Sequence, residues 1–209
     1  MTALSTRAAV TLDRIAEEAL ALLDEGPDET ALTMRSLAAR LGVQAPSLYA
    51  HVRGMDEIHD LVHALINSSI DTSIVDGSVD PGDLAELARR YRRAYRSHRV
   101  AASIIVSRSI NRDHALRIYE AIASFLTRYG VPSASVMPFM AWLDNLILGS
   151  AVEPFAAAFT GVPDDYVPGH PALADALQSV DREGIDDVAF EWGLANYLQA
   201  IQAVATTPR

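Results

Sequence analysis

The sequence predicts an all-α protein: an N-terminal three-helix domain containing a helix-turn-helix, then a C-terminal helical bundle. Three observations predict it. Apolar residues recur at three- and four-residue spacing along almost the whole chain. The one strand-like β-branched run, Ile104-Ile105-Val106, sits inside a helical pattern. Glycine and proline mark stops and linkers at Gly26-Pro27, Gly42, Pro81-Gly82 and 161–171.

In order, a first helix is expected over 11–24, with Ile15, Ala19, Leu22 and Leu23 on its inner face and Gly26-Pro27 as its stop. Thr33 caps a short second helix with Leu37, Ala38 and Leu41 inward, and Gly42 ends it. Pro46 suits the first turn of a third helix over 45–51. A fourth, over 55–73, turns Ile58, Leu61, Val62, Leu65 and Ile66 inward. The run Val75-Asp-Gly-Ser-Val-Asp-Pro-Gly82 reads as a linker and divides the chain into domains at 1–75 and 76–209. Further helices are expected at 83–98, 100–110, 112–129, 133–159 and 186–205, with a Pro/Gly-rich loop at 161–171 and a short helix near 172–179.

Composition narrows the function. The 209 residues carry a net charge of −10, and all 17 basic residues are arginine. A negative chain repels phosphate at long range, so non-specific nucleic-acid affinity should be weak. Without cysteine there is neither a disulfide framework nor a thiolate metal site. No uninterrupted apolar run reaches the roughly 18 residues that span a bilayer. Residues 1–10 lack the order of a signal peptide. The expectation is a cytoplasmic protein with no membrane partner.

The segment from Leu32 to Arg53 carries the function. Two short helices flank a turn that begins at Gly42, and Val43 and Leu48 can lock the second helix onto the first. That packing leaves Ala45, Pro46, Ser47, Tyr49 and His51 outside, where a helix can present its N-terminal residues to the major groove. Pro46 and Tyr49 offer apolar contact to thymine methyls; Ser47 and His51 reach phosphate or base edges. Thr33, Arg35, Gln44 and Arg53 complete the expected DNA-binding set.

This segment, Leu-Thr-x-Arg-x-Leu-Ala-x-x-Leu-Gly-Val-x-x-Pro-Ser-Leu-Tyr-x-His-Val, resembles the DNA-binding signature of the TetR family of bacterial transcriptional repressors, over about residues 11–66. The remainder is similar to the tetracycline-repressor-like body through Tyr91–Arg99, Leu148–Glu153 and Phe190–Leu194. The resemblance implies a homodimer with two DNA heads and a C-terminal ligand-binding and dimerisation bundle. Its partners would be a double-stranded palindromic operator and a small apolar or amphipathic inducer that releases it. Two departures stand out. Met55 occupies a position where many members place a phosphate-binding lysine, with Arg53 as the nearest substitute. Ile105 and Asp71 stand where tetracycline repressors carry histidines for the drug and its magnesium, so tetracycline–magnesium is a poor fit and no cofactor is expected.

Other constellations are read more plainly. His59 and His63 share a helix face at metal-ligand spacing, but no acid completes a site, and they are taken as pocket-lining. The stripe Arg89, Arg92, Arg93 and Arg96 reads as a solvated face paired with acids such as Asp83 and Glu86. Tyr95, Asn111, Trp142 and Asn145 join the two histidines as expected ligand-binding residues, while Asp144 is either polar glue or an exposed charge. Val136, Met140, Leu143 and Ile147 line one side of their helix and Met137, Ala141, Leu148 and Val152 another. The last helix likewise has Val188, Trp192 and Ala195 off its main face. Helices apolar on two sides need a second subunit, and a charge at Ile147 or Leu194 is expected to split the dimer or unfold the chain. No phosphate loop, nucleophile elbow or paired-acid motif suggests an enzyme. The alternative to a ligand-responsive repressor is a helix-turn-helix regulator controlled by a protein partner.

Overall fold

A computed structural model describes residues 10–106, 113–152 and 155–205. They form ten α-helices with short 3-10 turns between them, and no strand occurs among the described residues. The helices are α1 (Leu12–Glu25), α2 (Met34–Leu41), α3 (Ala45–Leu48), α4 (Met55–Ser68), α5 (Pro81–Ser97), α6 (Arg99–Ile105), α7 (Asp113–Tyr129), α8 (Ser133–Val152), α9 (Pro171–Gln178) and α10 (Ile185–Ala205).

The described residues belong to two compact units. The first comprises those within Met1–Ser69 and Arg96–Ala115; the second comprises those within Ile70–Tyr95 and Leu116–Arg209. In the first, α1 packs on α4 and α2, α2 on α3, and α6 on α4 and α1. The sequence division at residue 75 would leave α6 in the second domain. Its buried Ala101, Ala102 and Ile105 instead fit it closely into the first.

The α1 core face carries Ala16 and Leu20 beside Ile15, Ala19 and Leu23, while Leu22 is half-buried rather than inward. On α4 the buried positions are Ile58, Val62, His63, Ile66 and Asn67, with Leu61 and Leu65 half-buried. This helix stops at Ser68, short of the expected Ser73. A separate turn at Ser73–Val75 follows, where the Asp71 carboxylate accepts the Ser73 amide at 3.0 Å.

The second unit is organised by α8 and α10, which pack together. Gly193 permits a close approach: a Cβ there would lie 2.6 Å from Cδ1 of Leu146. Met140, Leu143, Ile147, Phe190, Leu194, Tyr197 and Ile201 form the shared core. Ile147 and Leu194 are therefore interior positions, each on its helix's core-facing stripe, so of the two expected outcomes of a charge there the burial favours unfolding. The second apolar sides are the exposed ones. Met137, Trp142, Val188 and Trp192 are 67%, 41%, 49% and 71% exposed.

The predicted 133–159 helix ends at Val152, with a 3-10 turn at Phe155–Ala158. By length and composition alone α8 could cross a membrane, with a window of mean hydropathy 1.3. The sequence reading expected no apolar run of that length, and Asp144 and Asn145 lie within this helix.

Arg92 ties three helices of this unit together and is buried. Its Nε donates to Ser150 Oγ at 3.0 Å and its NH1 to Asp187 Oδ1 at 2.7 Å, and the guanidinium carbon lies 4.5 Å from the centre of the Phe190 ring. The arginine stripe is paired with acids, and the pairs reach beyond its own helix: Arg89 meets Glu191, Arg92 meets Asp187 and Arg93 meets Glu86, while the neighbouring Arg90 meets Asp71 and Glu86.

Candidate nucleic-acid interface and ligand-binding side chains

The α2–turn–α3 segment is built from local chemistry. Thr33 Oγ1 accepts the Ser36 amide at 3.0 Å while Ser36 Oγ accepts the Thr33 amide at 2.9 Å, a reciprocal cap that satisfies two otherwise orphaned donors. At the other end Gly42 adopts the left-handed conformation (φ 71°), which a residue with a Cβ enters at a cost. Its N–H reaches the Ala39 carbonyl, and the Val43 N–H reaches Ala38 at 2.9 Å. The chain then enters α3 with proline in the first turn. This helix is shorter than the expected 45–51, and looser turns carry the chain through His51 and Val52, both donating to Leu48.

Leu48 is fully buried and Val52 nearly so, which clamps the helix to the unit. The opposite side is open. Gln44, Pro46, Ser47, Tyr49 and His51 are exposed and Ala45 is half-buried. Tyr49 is 59% exposed, a large ring left in solvent beside a buried leucine. Arg35 and Arg53 are exposed as well, and Arg53 donates to Glu57 at 3.2 Å. Thr33 is exposed, with its hydroxyl engaged in the cap. The nine residues expected to meet DNA thus all belong to this one unit.

Arg40, also on α2, faces a different task. Its NH1 and NH2 donate to the two carboxylate oxygens of Glu25 and its Nε donates to Glu18 at 2.7 Å. The hydrogen bond to Glu25, then that to Glu18, raises its pKa further, and the same pairing lowers that of Glu25.

The expected ligand-binding residues are divided between the two units. His59 and His63 lie on α4 in the first unit, where the His63 ring meets His114 edge-on at 4.8 Å. Tyr95, Trp142 and Asn145 belong to the second unit, and Asn111 lies outside the described residues. Tyr95 is buried against Tyr91, with ring centroids 5.1 Å apart. Trp142 packs instead on Phe139 and Tyr197, and Asn145 is exposed. Of the two residues that stand where tetracycline repressors carry histidines, Ile105 is buried and has no donor atom to offer, and Asp71 is held by Ser73 and Arg90.

Of the two sequence readings of Asp144 the polar-glue one fits, though nothing in the spacing pointed to its tyrosine partners. Asp144 Oδ1 accepts hydrogen bonds from the hydroxyls of Tyr91 and Tyr119, each at 3.1 Å. Burial raises the Asp144 carboxyl above its ordinary value, against the opposing pull of the two phenols. Burial, then the neighbouring carboxylate, pushes Tyr119 up to about 12, and burial, then the adjacent Tyr95, raises Tyr91 well above its ordinary value. Both phenols are therefore protonated at neutral pH and can only donate to the acid.

Comparison with known proteins places the chain in a family. Residues 81–205 match the family described as tetracyclin repressor-like, C-terminal domain. The class A tetracycline repressor from transposon 1721 of Escherichia coli is 32% identical over 186 residues, covering 85% of this chain and 83% of that repressor. An HTH-type transcriptional regulator of Saccharopolyspora erythraea is 30% identical over 145 residues, or 69% of this chain; the match spans 61% of that relative's length. The crystal structure of ActR from Streptomyces coelicolor in complex with actinorhodin superposes with a TM-score of 0.75 at 27% identity, covering 95% of this chain and 98% of that one. The chain is a transcriptional regulator and belongs to the TetR family.

Proposed function

We propose that this regulator is a repressor that binds a palindromic operator as a homodimer and leaves it when a small amphipathic molecule occupies the C-terminal unit. The observation that carries the DNA half is the recognition helix itself, with Leu48 buried while Pro46, Ser47 and Tyr49 stand in solvent. A helix anchored on one side and bare on the other is what major-groove reading requires. Thr33, Arg35, Gln44, Ala45, His51 and Arg53 supply phosphate and base-edge contacts around it. The dimer is supported by the exposed apolar sides of α8 and α10, including Trp192 and Met137. The ligand half is supported by the similarity to ActR, which was crystallised with actinorhodin.

A ligand releases DNA only if it prefers a conformation whose heads no longer match the operator. Two recognition helices must sit about 34–36 Å apart to enter successive major grooves. A coupling of about 1–3 kcal/mol lowers operator affinity roughly 5–150-fold, and operator DNA weakens ligand binding by the same factor. Footprinting on DNA flanking the protein's own gene, with sedimentation of the free protein, tests the reading. A two-fold-symmetric footprint made by a dimer is expected. A monomer, or binding with no sequence preference, overturns it.

A further inference from the structure

Asp144 has an unusual set of neighbours. Its carboxylate is half-buried, and both of its hydrogen bonds come from neutral phenols and converge on Oδ1. Among the described residues no cation pairs with it. The arginines of this unit are engaged elsewhere: Arg89 with Glu191, Arg90 with Asp71, and Arg92 with Asp187. A carboxylate removed from water is costly unless a positive group and further hydrogen bonds compensate it, and two neutral donors compensate only in part. One ring beside the acid is partly open: Tyr119 is half-buried, backed by Tyr91 and Tyr95, which are buried and pack edge-on against each other. Ring faces and a carboxylate in one place favour a cation joined to an apolar body. Tyr119 and Asp144 are only half-buried, so the acid is reachable from one side.

We infer that Asp144, with Tyr91 and Tyr119, recognises a protonated or quaternary amine on an amphipathic ligand of the C-terminal unit. The inference rests on the ligand-release reading above and names the chemical class that reading leaves open. The amine donates to the carboxylate, and its apolar body lies along the half-buried Tyr119 ring. A neutral analogue of the same shape loses the charge-assisted bond. An anionic analogue meets a carboxylate and is excluded.

The test titrates the full-length protein by calorimetry with 4-phenylbutylamine, 4-phenylbutan-1-ol and 4-phenylbutyrate, which share one carbon skeleton. The amine is expected to bind about tenfold or more tighter than the alcohol, and the carboxylate not at all. Asp144→Asn keeps an acceptor for both phenols and removes the charge, so amine and alcohol should then bind alike. Tyr119→Phe removes one competing donor and should retain the amine preference. Absence of amine binding, equal binding of amine and alcohol to the unmodified protein, or an amine preference that survives in folded Asp144→Asn overturns the inference. The unmodified-protein comparison decides the matter even if a variant fails to fold. Operator affinity is measured in parallel. Release by a neutral amphiphile without amine preference keeps the repressor reading and overturns this one. Asp144-dependent amine binding that leaves operator affinity unchanged keeps this inference and overturns release.

Discussion

Trp142 and Tyr197 meet edge to face with ring centroids 5.3 Å apart, and the indole is still 41% exposed. It belongs to the band of apolar side chains that α8 and α10 leave in solvent. Trp192 is the most exposed of them, at 71%. Trp192→Asp is expected to give a monomer in sedimentation with unchanged helical circular dichroism. Leu194→Asp, two residues on, is expected to unfold the protein, because that leucine is 1% exposed within its own unit. If Trp192→Asp sediments like the unmodified protein, this band is not the subunit interface.

Tyr49→Ala should cost about 1–3 kcal/mol of specific operator affinity. The ring is 59% exposed, so its removal should leave the melting temperature within about a degree or two. Gel-shift titration and a melting curve on the same preparation check both.

Arg35 and Arg53 are exposed, whereas Arg40 is held by Glu18 and Glu25. Arg35→Ala and Arg53→Ala should each reduce the slope of log affinity against log salt by about 1, across operator and non-operator DNA alike. Arg40→Ala should leave that slope unchanged. A salt titration of all three variants separates phosphate contacts from internal pairing.

Arg92→Ala removes a buried cation that joins α5 to Ser150 and Asp187. Asp187 is 52% exposed and can rehydrate, which limits the loss. The expected destabilisation is about 2 kcal/mol, read from urea unfolding. A loss below a few tenths would mean that the pairing is a surface feature.

Burial holds the Asp144 carboxyl above its ordinary 3.8. An acid with a raised folded value binds its proton more tightly when folded, so stability is greatest where it is protonated and falls as pH rises through that value. Asp144→Asn removes this loss. Its melting temperature should exceed that of the unmodified protein at pH 7, with the difference shrinking toward pH 4. A variant that melts lower at pH 7 would show that the charge is compensated by a partner beyond the two phenols.

The helix-turn-helix was legible because its chemistry is local. Thr33, Gly42 and Pro46 are cap, turn and first-turn residues wherever they occur in this order, and Leu48 must then face inward. The body was legible only as helices. Asp144 and Tyr91 are 53 residues apart, and no periodicity in either helix indicates that they meet. The same limit explains Ile147 and Leu194. A pattern with apolar residues on two sides shows that both need cover, but not which side the protein's own core supplies. The placement of α6 against α1 and α4 is equally non-local.

The pairing of Arg40 with Glu25 bears on how such a regulator finds its site. Counting residues 1–75, five arginines stand against eleven acids, and this pair withdraws one of the five from phosphate. Weak attraction to arbitrary sequence shortens each sliding encounter along the chromosome. It also leaves fewer molecules trapped on the very large number of competing genomic sites. Search then proceeds mainly through the surrounding solution, and the free concentration stays close to the total copy number. For the proposed repressor, operator occupancy would then respond directly to how much of the protein is made, rather than being buffered by the bulk of the genome.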